Sequence, residues 1–261
     1  IIGAGAVGLE FGTIYAALGA KVVVLEMLPQ ILPSEDPEIA SALDKTLRRF
    51  KIQTFTNCRV KEILEESGGK RKVVAVAGEE EKTFEAQYVL VAAGRNPNVE
   101  GLGLEKAGVR FGKKGIEVNE KMETNVPGIY GIGDVTGQWL LAHFAMAQGE
   151  VAAENAVGHE AHMDSRVVPR CVYTLPEVAA VGMTEKQAKD AGHELKVGRF
   201  PFAANGKATI LGERSGLVKI IAETKYDEIL GVHIFGPHAT DLIGEAVMAM
   251  RLEGTASDIA H

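Results

Sequence analysis

Apolar positions in the first 26 residues fall into runs of different period. Ile1-Ile2 reads as the close of an apolar strand, and a glycine-rich turn follows it. Val7, Phe11, Ile14, Tyr15 and Leu18 then recur at three- and four-residue spacing, the pattern of one buried stripe on a helix. Gly19 ends that helix, and residues 21–26 form a largely apolar run suited to a buried parallel strand. Asp36 before Pro37 reads as a cap with proline in the first helical position, and Ile39, Leu43, Leu47 and Phe50 mark a second amphipathic helix. Residues 72–92 alternate around Gly78 as a β-meander does, and residues 89–93 make another buried strand that ends at Gly94.

The texture changes after Arg95. Asn96-Pro97-Asn98 and a glycine-rich stretch through Gly115 read as loops. Residues 128–134 read as a short strand, and a helix rich in small residues is expected over about 141–157. A second boundary falls at 163–169. Beyond it, Thr184-Glu185-Lys186-Gln187 is a capping box that opens a short helix, stopped by Gly192. Residues 217–221 and 229–235 read as a hairpin around 224–227, an apolar helix follows at about 241–252, and Thr255 caps one more helix. Strands grouped apart from helices make an α+β tail behind a βαβ head. The expected divisions are 1–96, 97–163 and 164–261.

Composition narrows the classes. A chain of 261 residues, 46% hydrophobic and 24% charged, has the make-up of an ordinary globular protein with a sizeable core. No apolar run approaches the roughly 20 residues a membrane helix needs. The net charge is −7 and the one basic cluster is Lys70-Arg71-Lys72, so nucleic acid and anionic membrane surfaces are poor partners. Cys58 and Cys171 lie far apart without a CxxC, which excludes a disulfide framework or a cysteine zinc site and fits a reducing cytoplasm. No set of His, Asp and Glu has metal-ligand spacing. His233, in an apolar strand, reads as a hydrogen-bonded core residue, and Cys58 as a small buried one. The chain opens inside a strand and stops shortly into its last helix, so a piece of a longer polypeptide is expected.

Gly3-Ala4-Gly5-Ala6-Val7-Gly8 matches GxGxxG in a meaningful context: a strand precedes it, an amphipathic helix follows, and the next strand ends on an acid, Glu26. Gly3 permits the tight turn, Gly5 lets the backbone approach a pyrophosphate, and Gly8 lets helix and strand pack closely. The helix N-terminus then offers free N–H groups and its dipole to phosphate charge. Glu26 can accept from both ribose hydroxyls of an adenosine and would repel a 2′-phosphate, so NAD is expected over NADP. Downstream, residues 124–134 end on Gly133-Asp134. A carboxylate there can accept from the hydroxyls of a polyol or sugar; a capping aspartate in a turn is the other reading.

These two signatures, in this order, resemble the flavin- and nicotinamide-dependent disulfide reductases, and most of all the branch that oxidises dihydrolipoyl groups. The resemblance spans the chain and includes Ile31-Leu32-Pro33-Ser34-Glu35-Asp36, Gly94-Arg95-Asn96-Pro97-Asn98, Leu140-Leu141-Ala142-His143 and residues 176–182, 200–205 and 231–236. It implies an α/β Rossmann-like NAD-binding domain, part of an FAD-binding domain, and an α+β dimerisation domain that pairs two subunits. By the same resemblance, Gly3, Gly5, Gly8 and Glu26 would hold NAD, with Val60 and Gly94 lining the cleft. Asp134 would bind the ribityl chain of FAD, and Leu140, Leu141, Ala142 and His143 would contact the flavin. Glu10 would support the flavin–nicotinamide contact, unless it is an ordinary solvated helix carboxylate.

The family reaction passes electrons from a dihydrolipoyl group through a redox disulfide to FAD, and a hydride to NAD. The family's second GxGxxG, its close cysteine pair and its catalytic His–Glu pair have no counterpart in this sequence. No catalytic residue is therefore assigned, and the chain is expected to bind NAD and form a homodimer without turnover. The lipoyl domain and acyltransferase core of a 2-oxo-acid dehydrogenase complex are the implied partners. Two alternatives stand: a sibling reductase of glutathione, mercuric or transhydrogenase type, or a non-catalytic nucleotide-binding and dimerisation module.

Overall fold

Four parallel strand segments lie side by side at the start of the chain. The structure is a computed structural model that describes residues 1–261. Ile2 bridges Leu25 on one side and Val91 on the other, both in parallel. Helix α1 (Ala6–Ala17) leads into β1 (Val22–Leu25), and helix α2 (Pro37–Leu47) leads into β2 (Ile52–Phe55), which pairs with β1 in parallel register. Val22, Val24 and Ile52 of this layer are buried, while Val23 and Ile2 are half-buried and Val91 at the edge is exposed. The strand expected over 89–93 contracts to a single bridge at Val91, because only Ile2 is beside it to pair with. Strands β3 (Cys58–Glu65), β4 (Arg71–Ala77) and β5 (Glu80–Ala86) form the antiparallel meander, and Cys58 is buried with Val73 and Ala75 on its inner face.

Helix α1 corrects its sequence reading. Val7, Phe11, Ile14, Tyr15 and Leu18 do not form a buried stripe; all five are exposed, Leu18 to 80%. Gly8, Leu9 and Gly12 are the buried positions. A Cβ on Gly8 would overlap the Gly3 carbonyl oxygen, so only a glycine face can lie this close to the strand. Close approach selects the face, and the larger apolar side chains turn outward. In α2 the expected pattern holds for Ile39, Leu43 and Leu47, which are buried, while Phe50 lies beyond the helix in a single 3-10 turn and is exposed.

Residues 95–168 make a separate compact unit. It holds a short helix α3 (Leu104–Ala107), a hairpin of β6 (Phe111–Gly112) and β7 (Gly115–Ile116), and the long helix α4 (Ala142–Ala156). The strand expected over 128–134 is absent: Tyr130 makes one bridge to Glu123, and a 3-10 turn then runs Gly133–Thr136. Gly133, at φ +72°, breaks the extended run before it can pair further.

The remaining residues belong to the same unit as residues 1–94. They build an antiparallel sheet from β8 (Arg170–Val172), β9 (Glu177–Gly182), β10 (Leu195–Pro201), β11 (Leu217–Glu223) and β12 (Ile229–Gly236), in the order β10-β11-β12-β9-β8. Helix α5 (Glu185–Asp190) carries the expected capping box, α6 (Gly206–Leu211) follows β10, and α7 (Ala239–Arg251) precedes α8 (Ala256–Ala260), capped by Thr255. One face of the sheet packs Ala179, Val181, Val232 and Ile234 with α7 residues Ala239, Ile243 and Ala246. The other face packs Val172, Val178 and Phe235 with Ile39, Leu43 and Leu47 of α2.

The same inner face carries a transverse row of bases. Arg199 lies opposite Lys219, Lys219 opposite His233, His233 opposite Ala180, and Ala180 opposite Arg170. The acidic start of α2 meets that row. Arg170 forks onto Glu35 at 3.0 and 3.2 Å, Lys219 reaches Asp36 at 2.9 and 3.0 Å, and Arg199 reaches Glu38 at 2.9 Å. Asp36, the N-cap of α2, also accepts from the Glu38 and Glu185 backbone N–H groups. Burial works against its charge, but Lys219 and the Glu185 N–H outweigh it and hold the carboxyl below its ordinary value. Burial likewise opposes the Lys219 ammonium, and Glu185, Asp36 and Glu38 together raise it. Lys189 and Lys219 hold Glu185 down to about 2.

His233 lies in this row as a hydrogen-bonded core residue: one ring nitrogen meets the Met183 carbonyl at 2.8 Å, and Nδ1 is buried without a partner. Burial holds the imidazole below its usual value near 6.5, opposed by the Met183 bond, Asp36 and Glu35.

Lys219→Met strands the buried Asp36 carboxylate without its base and should lower stability to urea by about 3–5 kcal/mol. The native fold resists protonation of His233 more than the unfolded chain does. Its contribution is therefore present above the unfolded value and lost as pH falls below about 6.5. His233→Gln, which cannot take up the proton, should flatten the drop in urea midpoint between about pH 7 and 5; an unchanged slope would contradict this.

Candidate functional site

The glycine turn is placed by hydrogen bonds on both sides. Gly3 N–H donates to the Leu25 carbonyl at 2.8 Å, and Ala92 N–H donates to the Ile2 carbonyl at 2.7 Å. Gly3, Glu26 and Gly94 therefore cluster at the carboxyl ends of neighbouring parallel strands, the end at which open α/β sheets bind ligands. Gly5 is the N-cap of α1, with no side chain capping the helix. A Cβ built on Gly5 would meet nothing within 4 Å, so the space above the turn is open. The first N–H groups of α1 face that space without an intrahelical partner.

Glu26 braces the turn. Its carboxylate accepts from Ala4 N–H at 2.7 Å through Oε2 and from Leu28 N–H at 2.9 Å through Oε1, and the residue is 6% exposed. Each carboxylate oxygen keeps a second acceptor site, so the group is oriented with capacity left. The backbone around it is continuous with the meander: Glu26 N–H donates to Phe55, and Cys58 N–H to the Glu26 carbonyl. Val60, half-buried, lies two residues further along β3 and lines a cleft with Asn57, Arg59, Lys61, Val76 and Gly78. Glu10 is neither central to this turn nor simply solvated; it accepts from Tyr173 N–H at 2.9 Å.

The second site lies within residues 95–168. Asp134 sits in the Gly133–Thr136 turn, its side chain 42% exposed and paired with Arg95 at 3.0 Å. Leu141 is the N-cap of α4 and no side chain caps that helix. Leu140, Ala142 and His143 are exposed there and Leu141 is half-buried. The sequence reading passed over Arg95 and Gln148 as site residues. Gln148 was readable as a polar residue four positions from Phe144 and four from Ala152, on what proves to be the buried stripe of α4. It also passed over the basic row, whose signal was Lys219 and His233 at inward positions of apolar strands.

Cys58 and Cys171 are both free, and burial raises both thiols above their ordinary value. No three His, Cys, Asp or Glu side chains are grouped to hold a metal ion. No helix is long and apolar enough to cross a membrane.

Comparison with known proteins places this geometry. Residues 1–149 match the family model described as pyridine nucleotide-disulphide oxidoreductase, and residues 168–261 match the dimerisation domain of the same family. The chain belongs to this family. Among curated relatives, dihydrolipoyl dehydrogenase of Thermus scotoductus is 46% identical over 99% of this chain and 56% of its own length. A dihydrolipoyl dehydrogenase of Bacillus subtilis is 41% identical over 100% and 56%. The chain thus spans about half the length of the curated relatives it matches. Among solved structures, LpdA of Mycobacterium tuberculosis superposes with a TM-score of 0.89 at 30% identity, over 99% of this chain and 56% of that one. The flavoprotein disulfide reductase RclA of Escherichia coli gives 0.87 at 27% identity, over 98% and 58%. The family match agrees with the resemblance read from the two glycine signatures, and with an α/β head followed by a dimerisation domain.

Gly8→Ala drives a Cβ into the Gly3 carbonyl and should cost about 1–3 kcal/mol in urea unfolding, as overpacking does.

Proposed function

We propose that the chain is the NAD-binding and dimerisation portion of a cytoplasmic dihydrolipoyl dehydrogenase, with part of its FAD-binding domain. The observation that carries this reading is the open, uncapped turn at Gly5 with the buried Glu26 carboxylate locked beside it. A dinucleotide fits this set. Pyrophosphate oxygens accept from the free N–H groups at the start of α1, with no Cβ at Gly5 to hold them off. Glu26 accepts from the adenosine ribose hydroxyls through the lone pairs its backbone donors leave unused, and repels a 2′-phosphate. Val60 and Gly94 would line the dinucleotide cleft, and Glu10 would support the flavin–nicotinamide contact. A flavin also fits the residues of the second site: Asp134 accepts from a polyol chain, and Leu140, Leu141, Ala142 and His143 present the uncapped α4 N-terminus.

Bound FAD would supply two-electron transfer between a thiol substrate and NAD, and this chain's residues bind and orient the nucleotides for it. The division into residues 1–96, 97–163 and 164–261 assigns nucleotide binding to the first part, flavin contacts to the second and self-pairing to the third. A homodimer is the expected assembly, and the lipoyl domain and acyltransferase core of a 2-oxo-acid dehydrogenase complex are the expected partners of the longer enzyme.

Calorimetric titration should show NAD binding at least about tenfold tighter than NADP, a difference of about 1.4 kcal/mol. Gly5→Ala has room for its methyl group and should leave the urea midpoint nearly unchanged while abolishing NAD heat. Equal affinities, or Gly5→Ala binding like the parent, would overturn the reading.

A further inference from the structure

The Gly133–Thr136 turn is held from beneath by side chains that the proposed flavin contacts do not include. Gly133 N–H donates to Gln148 Oε1 at 2.7 Å, and the Gly133 carbonyl accepts from Thr136 Oγ1 at 2.8 Å. Gln148 is wholly buried, and its Nε2 donates to Gln138 Oε1 at 3.3 Å. The Gly133 N–H is thus satisfied by the buried Gln148 side chain rather than by sheet or helix, and its carbonyl takes the Thr136 hydroxyl as well. Gly133 is in the left-handed region at φ +72°, and the Ala145 Cβ lies 3.4 Å from where a Cβ on it would project.

An amide in this place calls for a reason. Phe144, Gln148 and Ala152 are the buried residues of α4, one stripe at four-residue spacing. An apolar residue between Phe144 and Ala152 would fill the stripe without desolvating an amide. Burying glutamine there is offset only if it satisfies a group that would otherwise be orphaned, and Gly133 N–H is that group. Asp134 follows directly and turns outward to Arg95.

We propose that Gln148 is a positioning residue for the flavin-facing carboxylate: by anchoring Gly133 to the middle of α4, it fixes the direction in which Asp134 leaves the turn. The inference rests on the flavin reading of Asp134 given above. It adds a residue that touches no cofactor and acts only through the backbone of the turn.

Two variants separate positioning from packing. Gln148→Leu keeps the stripe filled and removes the acceptor. Gln148→Glu, when protonated, can still accept from Gly133 and donate to Gln138. Trp139, the single tryptophan of the chain, falls in sequence between the turn and α4, and its fluorescence is the readout. Titration of the 261-residue chain with FAD should quench Trp139, with affinity about tenfold weaker in Gln148→Leu and close to the parent in Gln148→Glu. Hydrogen exchange at the Gly133 amide should be slow in the parent and in Gln148→Glu, and at least about tenfold faster in Gln148→Leu, with the rest of α4 still protected.

If Gln148→Leu folds with Gly133 still protected and FAD affinity unchanged, Gln148 is a packing residue and the proposal is overturned. If the parent protects Gly133 but FAD does not quench Trp139, the flavin reading fails instead. The exchange rates of the two variants then decide the anchoring role alone.

Discussion

A helix laid against a strand with no side chain between them is the constraint on which the nucleotide end of this molecule depends. Gly8 rests on the Gly3 carbonyl so closely that even a methyl group would collide with it. That approach determines which face of α1 turns inward, and so why Leu9 is buried while Phe11 and Tyr15 stack on each other outside. It also brings the free N–H groups of α1 to the strand ends where Glu26 lies. The carboxylate, tied to Ala4 and Leu28, makes the turn and the next strand end into one rigid edge.

A second constraint joins sequence-distant parts. Residues 1–94 and 169–261 form one unit, and the acidic start of α2 is interlocked there with bases from three strands of the five-stranded sheet. Buried ion pairs are weak evidence for net stability, but they are sensitive to register. A one-residue slip of β11 would turn Lys219 toward the α7 face and leave Asp36 without its partner. The charge row therefore specifies how the strands align, while Ile39, Leu43, Val178 and Phe235 bury apolar surface beside it.

Much of this was legible in the sequence, for identifiable reasons. Capping boxes at Thr184 and Thr255, the Asp36-Pro37 helix start and the 217–235 hairpin are local rules, and the structure follows them. The GxGxxG turn was readable because strand, helix and terminal acid all surround it. The outward face of α1 was not, because periodicity counts apolar residues and cannot see that glycines set the contact distance. The strand expected at 128–134 stops at one bridge because Gly133 turns the backbone into the left-handed region. The basic row was invisible for another reason: Arg170, Lys219 and Arg199 become neighbours only through sheet register. Gln148 was spaced correctly to be noticed, but its purpose depends on a backbone N–H fifteen residues away.

The most direct test of the central claim is a crystal structure of the chain with NAD diffused into it. The account predicts pyrophosphate density over the start of α1 above Gly5, with a ribose against the free edge of the Glu26 carboxylate. An empty turn, or a dinucleotide bound elsewhere with Glu26 contacting only Ala4 and Leu28, would contradict it.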